Sequence, residues 1–193
     1  SIRRLFSLFV LCFFICSIPL QHFFGSLKLY RATSPKILMF SPIDAYYLAD
    51  NLKHWGEDAG INGFMLGYIA DWWTPNEQLF QNIGVLTKIN TEGADYGIDS
   101  NFIKVALGHR ELPLWTDDAA WAGVIDNFRN IAELIKQSGT KGIVLDTEPY
   151  TISLWNSKKE RFAGIDTATL KAKIYQRGQE IMQALTNIFP DIE

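Results

Sequence analysis

From residue 36 onward, short apolar runs alternate with longer stretches whose apolar residues recur every three or four positions, the signature of strands alternating with helices. Residues 36–41 (KILMFS) read as a strand, and residues 44–58 then place Leu48, Leu52 and Trp55 on one helical face before Ala59-Gly60 ends it. A second strand is predicted over 62–69 (NGFMLGYI), a loop over 70–74, and a helix from Pro75 with Leu79, Ile83 and Leu86 on its apolar face. Residues 102–107 (FIKVAL) form the third strand. A loop through Trp115 leads to a helix carrying Trp121, Ile125, Phe128, Ala132 and Ile135, closed by Ser138-Gly139. Residues 142–145 are the fourth strand. The helix that begins near Thr167 shows Leu170, Ile174, Ile181, Leu185 and Ile188 and ends at Phe189-Pro190, so that Ile192 would open strand five.

Four β/α units over residues 36–190 have the spacing of an eight-unit barrel of ~250 residues, so the expected fold class is α/β, the N-terminal half of a (β/α)8 TIM-type barrel. The chain begins with Ser1 and stops at Glu193, and on this reading it is truncated. A doubly wound open sheet is the runner-up, but that fold usually carries a glycine-rich phosphate loop after an early strand, and the turns SPID and DWWTP are not of that kind.

Residues 1–26 break the pattern. Arg3 and Arg4 precede an uncharged run, 5–20, rich in Phe, Leu and Ile, the layout of an export signal, which separates this segment from a partial barrel domain over 27–193. Pro19, Gln21 and His22 interrupt the run before the ~20 residues of a comfortable membrane span. No small-x-small cleavage site follows, so a cleaved signal and an uncleaved N-terminal anchor are both open. Either places the domain outside the cytoplasm, secreted or held in the cell envelope, with possible membrane attachment through residues 5–20.

Composition narrows the function. At 48% hydrophobic and 20% charged, the chain is that of a globular protein. Both cysteines, Cys12 and Cys16, lie in the leader, which leaves the domain no disulfide, thiolate ligand or thiol nucleophile. Removing Arg3 and Arg4 from a segment with no acid takes the formal charge from −3 to −5, and an acidic domain without a basic run does not suit nucleic acid. Scattered acids and few histidines give no metal-ligand spacing, and nothing calls for a cofactor.

In a parallel barrel the loops after the strands build the functional face. Asp71, Trp72 and Trp73 follow strand two; His109, Arg110, Glu111 and then Trp115 follow strand three; Asp146, Glu148, Tyr150 and Trp155 follow strand four. Indoles offer apolar faces and carboxylates polar edges, which suits a carbohydrate; the same tryptophans could equally roof the barrel, while Trp55 and Trp121 read as core. In KGIVLDTEPY (141–150), strand alternation separates Ile143 and Leu145 from Val144, Asp146 and Glu148. If the apolar pair faces the helices, both acids point toward the barrel axis. Two such carboxyls, partly desolvated, should not both ionise freely, and a raised carboxyl is what a general acid for a glycosidic oxygen needs. Catalysis, ligand binding and a solvated strand end are the readings open to this pair.

The stretch 141–148 also resembles the D-G-x-D-x-D-x-E pattern on the fourth strand of chitinase-type glycosidases and related endo-N-acetylglucosaminidases. Gly142, Asp146 and Glu148 keep it; Lys141 and Val144 replace its first two aspartates. The resemblance implies that Glu148 protonates the glycosidic oxygen and that Asp146 orients the substrate's N-acetyl group. A longer resemblance runs over residues 36–192 to exported bacterial proteins with a glycosidase-like barrel, through Asp146-Thr-Glu-Pro-Tyr150 and Arg177-Gly178, Met182 and Phe189-Pro-Asp191. Together these imply a glycoside hydrolase acting on oligo- or polysaccharide, with a non-catalytic carbohydrate-binding barrel as the alternative. Asp71, Trp72, Trp73, His109, Trp115, Tyr150 and Trp155 are the expected substrate contacts. Glu77 is expected to form a capping box with Thr74, and Asp117 and Asp118 to cap the third helix.

Overall fold

A computed structural model describes residues 35–107, 112–148, 156, 158 and 160–193. The leader 1–26 and the residues His109, Tyr150 and Trp155 lie outside the described residues. The unit that holds the site spans Lys36–Glu193.

Its centre is a parallel sheet of four strands, β1 (Leu38–Ser41), β2 (Gly63–Asp71), β3 (Phe102–Ala106) and β4 (Gly142–Asp146), hydrogen-bonded in chain order and curled like part of a barrel. Helices fill each connection: α1 (Ala45–Asp50), then α2 (Asn76–Phe80) and α3 (Ile83–Glu92), then α4 (Asp118–Ser138), and after β4 the helix α5 (Thr167–Ile188). The α/β class and the sequential parallel order agree with the hydrophobic pattern. Glu193 adds a detail: its N–H donates to the carbonyl of Lys141 and its carbonyl accepts from the Ile143 N–H, the pattern of a parallel neighbour on the free side of β4. A Cβ at position 142 would meet the Glu193 carbonyl at 1.8 Å, so the approach requires Gly142.

Two helices are more broken than the periodicity implies. The stretch after β1 gives α1 and then a wide π-helical turn, His54–Asp58, where Gly56 lies so close to Tyr96 that a Cβ would sit 2.2 Å from its carbonyl oxygen. Leu48 and Leu52 are buried as the spacing implies, and Trp55 packs against the core. The helix after β2 splits at Gln81-Asn82. Its N-terminus is not a capping box: Pro75 is the N-cap, and the Thr74 hydroxyl bonds to Asp71 instead of the helix. By contrast α4 starts as expected, with Asp117 accepting from the Ala120 N–H, and ends at Gly139 with φ of 74°.

The core lies between the sheet and the helices. Phe64, Leu66, Ile103 and Val105 point outward from the strands into it, against Trp121, Val124, Phe128 and Ile131 of α4. Ile143 joins them, whereas Leu145 is 39% exposed, because α5 packs chiefly on α4 and leaves the end of β4 partly uncovered.

Polar ties hold the layers at both ends. Below the sheet, buried Asn101 accepts from the Phe64 N–H at the start of β2, donates to Asn90 Oδ1 on α3, and takes the Lys141 N–H on its carbonyl; Asn90 in turn donates to the Ser138 carbonyl and to Thr140. On the helix layer, Arg177 of α5 is 3% exposed, donates through Nε and Nη2 to the Trp115 carbonyl, and pairs with Asp118 and Glu180. Its guanidinium also lies 5.4 Å from the Trp121 ring.

Two stability effects are expected. Asn101→Leu strands the Phe64 N–H and Asn90 Oδ1, at roughly 1–3 kcal/mol for each buried group, and should lower the denaturant midpoint accordingly; Asn101→Asp should not restore it, since it lacks the donor. Arg177→Met should cost roughly 2–3 kcal/mol, the value of buried bonds from a charged donor, and Arg177→Lys should recover only part because one ammonium cannot reproduce the fork.

Candidate functional site

The inside of the curl is decided by register. Lys104 pairs with Val144, and Ala106 pairs with both Asp71 and Asp146, so Asp71, Ala106 and Asp146 form one row across the C-terminal ends of β2, β3 and β4. Ile103, Val105 and Ile143 go to the helices, which leaves Lys104 and Asp146 on the opposite face. The expected inward direction of Asp146 is therefore observed.

Asp146 has a partner that the sequence reading missed. Lys104 Nζ lies 2.6 Å from Asp146 Oδ2, with the two side chains 23% and 21% exposed, and the same ammonium sits 4.6 Å from the Phe40 ring centre. The signal was available: Lys104 interrupts an apolar strand at the alternation that faces inward, one pair below Asp146. Val144, which stands where the resembling pattern has its middle aspartate, is the residue paired with Lys104. The inward row below Asp146 thus carries a cation from the neighbouring strand beside an apolar residue of β4.

That cation sets the ionisation of Asp146. The Lys104 ammonium bonded to Asp146 holds its carboxyl below the usual carboxylate range, helped by the Glu148 N–H and opposed by partial burial. The anionic form of Asp146 is thereby favoured; of the pair, in which one carboxyl was expected to rise, Asp146 shifts the other way.

Glu148 lies two residues beyond the end of β4 and is exposed. The strand alternation therefore does not reach it. Its N–H donates to Asp146 Oδ1 at 3.1 Å, an Asx turn that ties Glu148 to the aspartate through the backbone.

Asp71 has a structural task of its own. Its Oδ1 accepts from the Trp73 N–H at 2.7 Å and the Thr74 hydroxyl at 2.9 Å, while its carbonyl accepts from Asn127 of α4. Asp71 forms the turn out of β2 and still lines the inside of the curl.

The tryptophans are corrected more sharply. Trp72 and Trp115 are each 2% exposed: Trp72 meets Trp121 and Phe128 edge to face at 5.9 and 5.3 Å, and Trp115 stacks on Trp121 at 5.0 Å. These two indoles belong to the helix layer and present no face to a sugar. Trp73 is half-buried against the same core. Of the expected contacts within the described residues, the fold sets Asp71 and Asp146 in one row at the strand ends, with the Glu148 N–H bonded to Asp146, and sends the indoles away from them.

Among the described residues, no group of three or more His, Cys, Asp or Glu is placed to hold a metal ion, and no helix is long and apolar enough to cross a membrane.

The depressed Asp146 carboxyl gives a pH dependence of definite sign. A group whose folded pKa lies below its unfolded value, ~3.9 for Asp, stabilises the fold above that value and loses the contribution as pH falls through the folded pKa. Acid unfolding of the wild type should therefore be steeper than that of Asp146→Asn, with roughly 1 kcal/mol separating them at neutral pH, as befits a partly exposed pair. Coincident stability curves from neutral pH to the acid limb would show that the pair contributes nothing.

Compared with known proteins, the chain matches no family model, no curated protein and no solved structure.

Proposed function

We propose that residues 36–193 belong to a glycosidase-type (β/α)8 barrel that binds oligosaccharide at the C-terminal ends of its strands and hydrolyses it with Glu148 as general acid/base. The observation that carries this reading is the Asp146–Glu148 turn at the end of β4, where one carboxylate faces the inside of the curl and fixes the backbone of the next. Strand-end loops are where barrels of this kind do their chemistry. The parallel pairing of Glu193 along β4 supports further units around the same axis. The leader-like residues 1–26 support export, with the domain either released or anchored.

In this mechanism Glu148, exposed just beyond the end of β4, delivers a proton to the leaving oxygen, a role worth about 10²–10⁴-fold. Asp146, kept anionic by Lys104, stabilises the positive charge that builds on the sugar ring or on a participating acetamido group.

A second reading, a carbohydrate-binding barrel without turnover, draws on the same ion pair. Lys104 occupies the carboxylate that the resembling pattern uses on the substrate. Incubation with chito-, manno- and gluco-oligosaccharides separates the two: release of reducing ends supports the enzyme, and binding without release supports the module. Glu148→Gln should lose about 10²–10⁴-fold in turnover with unchanged binding and unfolding midpoint. Unchanged turnover in that variant would overturn the assignment of Glu148.

A further inference from the structure

Between the C-terminal ends of β1, β2 and β3, on the inside of the curl, lies a cavity of about 340 Å3. Phe40, Tyr68, Asp71, Thr74, Gln78 and Lys104 are among its walls. Small-molecule sites span ~300–1,000 Å3, so this one has room for a single sugar ring with a few waters.

Tyr68 sets the cavity apart. Its φ is 59°, the left-handed region that a bulky side chain enters only under strain, and it is the one non-glycine residue with positive φ among the described residues. It is also 85% exposed, so burial does not compensate the strain. The cause is a bulge: Leu66 pairs with Ile103 and Ala70 with Val105, so four positions of β2 advance against two of β3, and neither neighbouring strand pairs with residues 67–69. Bulges re-aim side chains and cluster beside functional sites. A glycine would hold this φ without strain, yet a tyrosine stands there, one residue after Gly67. Strain retained at an exposed aromatic on a cavity rim is a mark of use.

We propose that Tyr68 is the stacking platform of a subsite that takes one neutral pyranose ring of an oligosaccharide; the proposal rests on the carbohydrate reading above. The lining matches the two kinds of surface on such a ring. Tyr68 offers an aromatic face to its C–H side, and Phe40, 50% exposed with the Lys104 ammonium over its ring, adds apolar surface beside it. Gln78 and Asp71 offer polar edges to its hydroxyls; the described bonds to the Asp71 carboxylate use Oδ1, which leaves Oδ2 as an acceptor. Neutrality follows from charge: among the described lining residues the one cation, Lys104, is already bonded to Asp146, and an anionic ligand would meet the Asp71 carboxylate.

The test is calorimetric titration of the whole protein with chito-, manno- and gluco-tetrasaccharides, with melting midpoints measured in parallel. Tyr68→Phe should bind within about twofold of wild type. Tyr68→Gly should lose about tenfold or more in affinity, the scale of one well-packed aromatic contact, while its midpoint holds or rises because glycine relaxes the backbone. Unchanged affinity in Tyr68→Gly overturns the proposal, as does a lowered midpoint, which would assign the tyrosine to the fold, or a wild type that binds none of the three sugars. The two proposals fail separately. Tyr68-dependent binding without release of reducing ends sinks hydrolysis and leaves the subsite, whereas turnover indifferent to Tyr68→Gly sinks the subsite and leaves hydrolysis.

Discussion

Each side chain on the four strands is committed to one of two faces, and the helices accept only apolar ones. Phe64, Leu66, Ile103 and Val105 are at most 1% exposed between sheet and helices, a position that no charged group could share without a partner. Because alternation and pairing are regular along β3 and β4, burying Ile103 and Val105 sends Lys104, Ala106, Val144 and Asp146 to the inside of the curl. The ion pair at the candidate site is thus a consequence of core burial on the other face. A one-residue slip of β3 would exchange Lys104 with Val105 and put an ammonium into the core, so the register that builds the site is the register that the core enforces.

The two ends of the sheet are treated differently. At the N-terminal end, Asn101 and Asn90 satisfy backbone groups from β2, the segment before β4, α3 and the end of α4, a closed network suited to rigidity. At the C-terminal end, the chain departs through Asx turns at Asp71 and Asp146, and the bulge in β2 opens a cavity beside them. Rigidity at one end and an open cavity at the other is the division of labour expected of parallel α/β folds. Arg177 belongs to the structural side. The residue that carries part of the longer sequence resemblance is buried against Trp115, and holds the entry to α4 from the following helix.

Much of the fold was legible because it depends on periodicity. The four strands, the buried faces of α4 and α5, the cap at Asp117 and the stop at Gly139 all follow from local pattern. The candidate site was legible only in part. Asp146 was found because a carboxylate ends an apolar strand; Lys104 was not, though it stands in the strand before, since pairing between strands is a long-range fact. The tryptophans misled for a related reason. Their place in the loops after the strands suggested the mouth, but an indole reaches far enough to turn back into the helix layer, and Trp72 and Trp115 gain more by burial around Trp121 than by exposure.

By itself, the sequence determined which segments are strands and helices, which face of each is apolar, and that the acids of 146–148 follow a buried strand. These depend on spacing within one segment, where chain geometry leaves few alternatives. Tertiary structure alone decided in what register neighbouring strands pair, and hence that Asp146 meets Lys104. It also decided that a bulge sets Tyr68, exposed, on the rim of the cavity and that two of the indoles leave the strand ends. Each of these joins residues distant in the chain, where the balance between burial and pairing is struck only once the layers are packed.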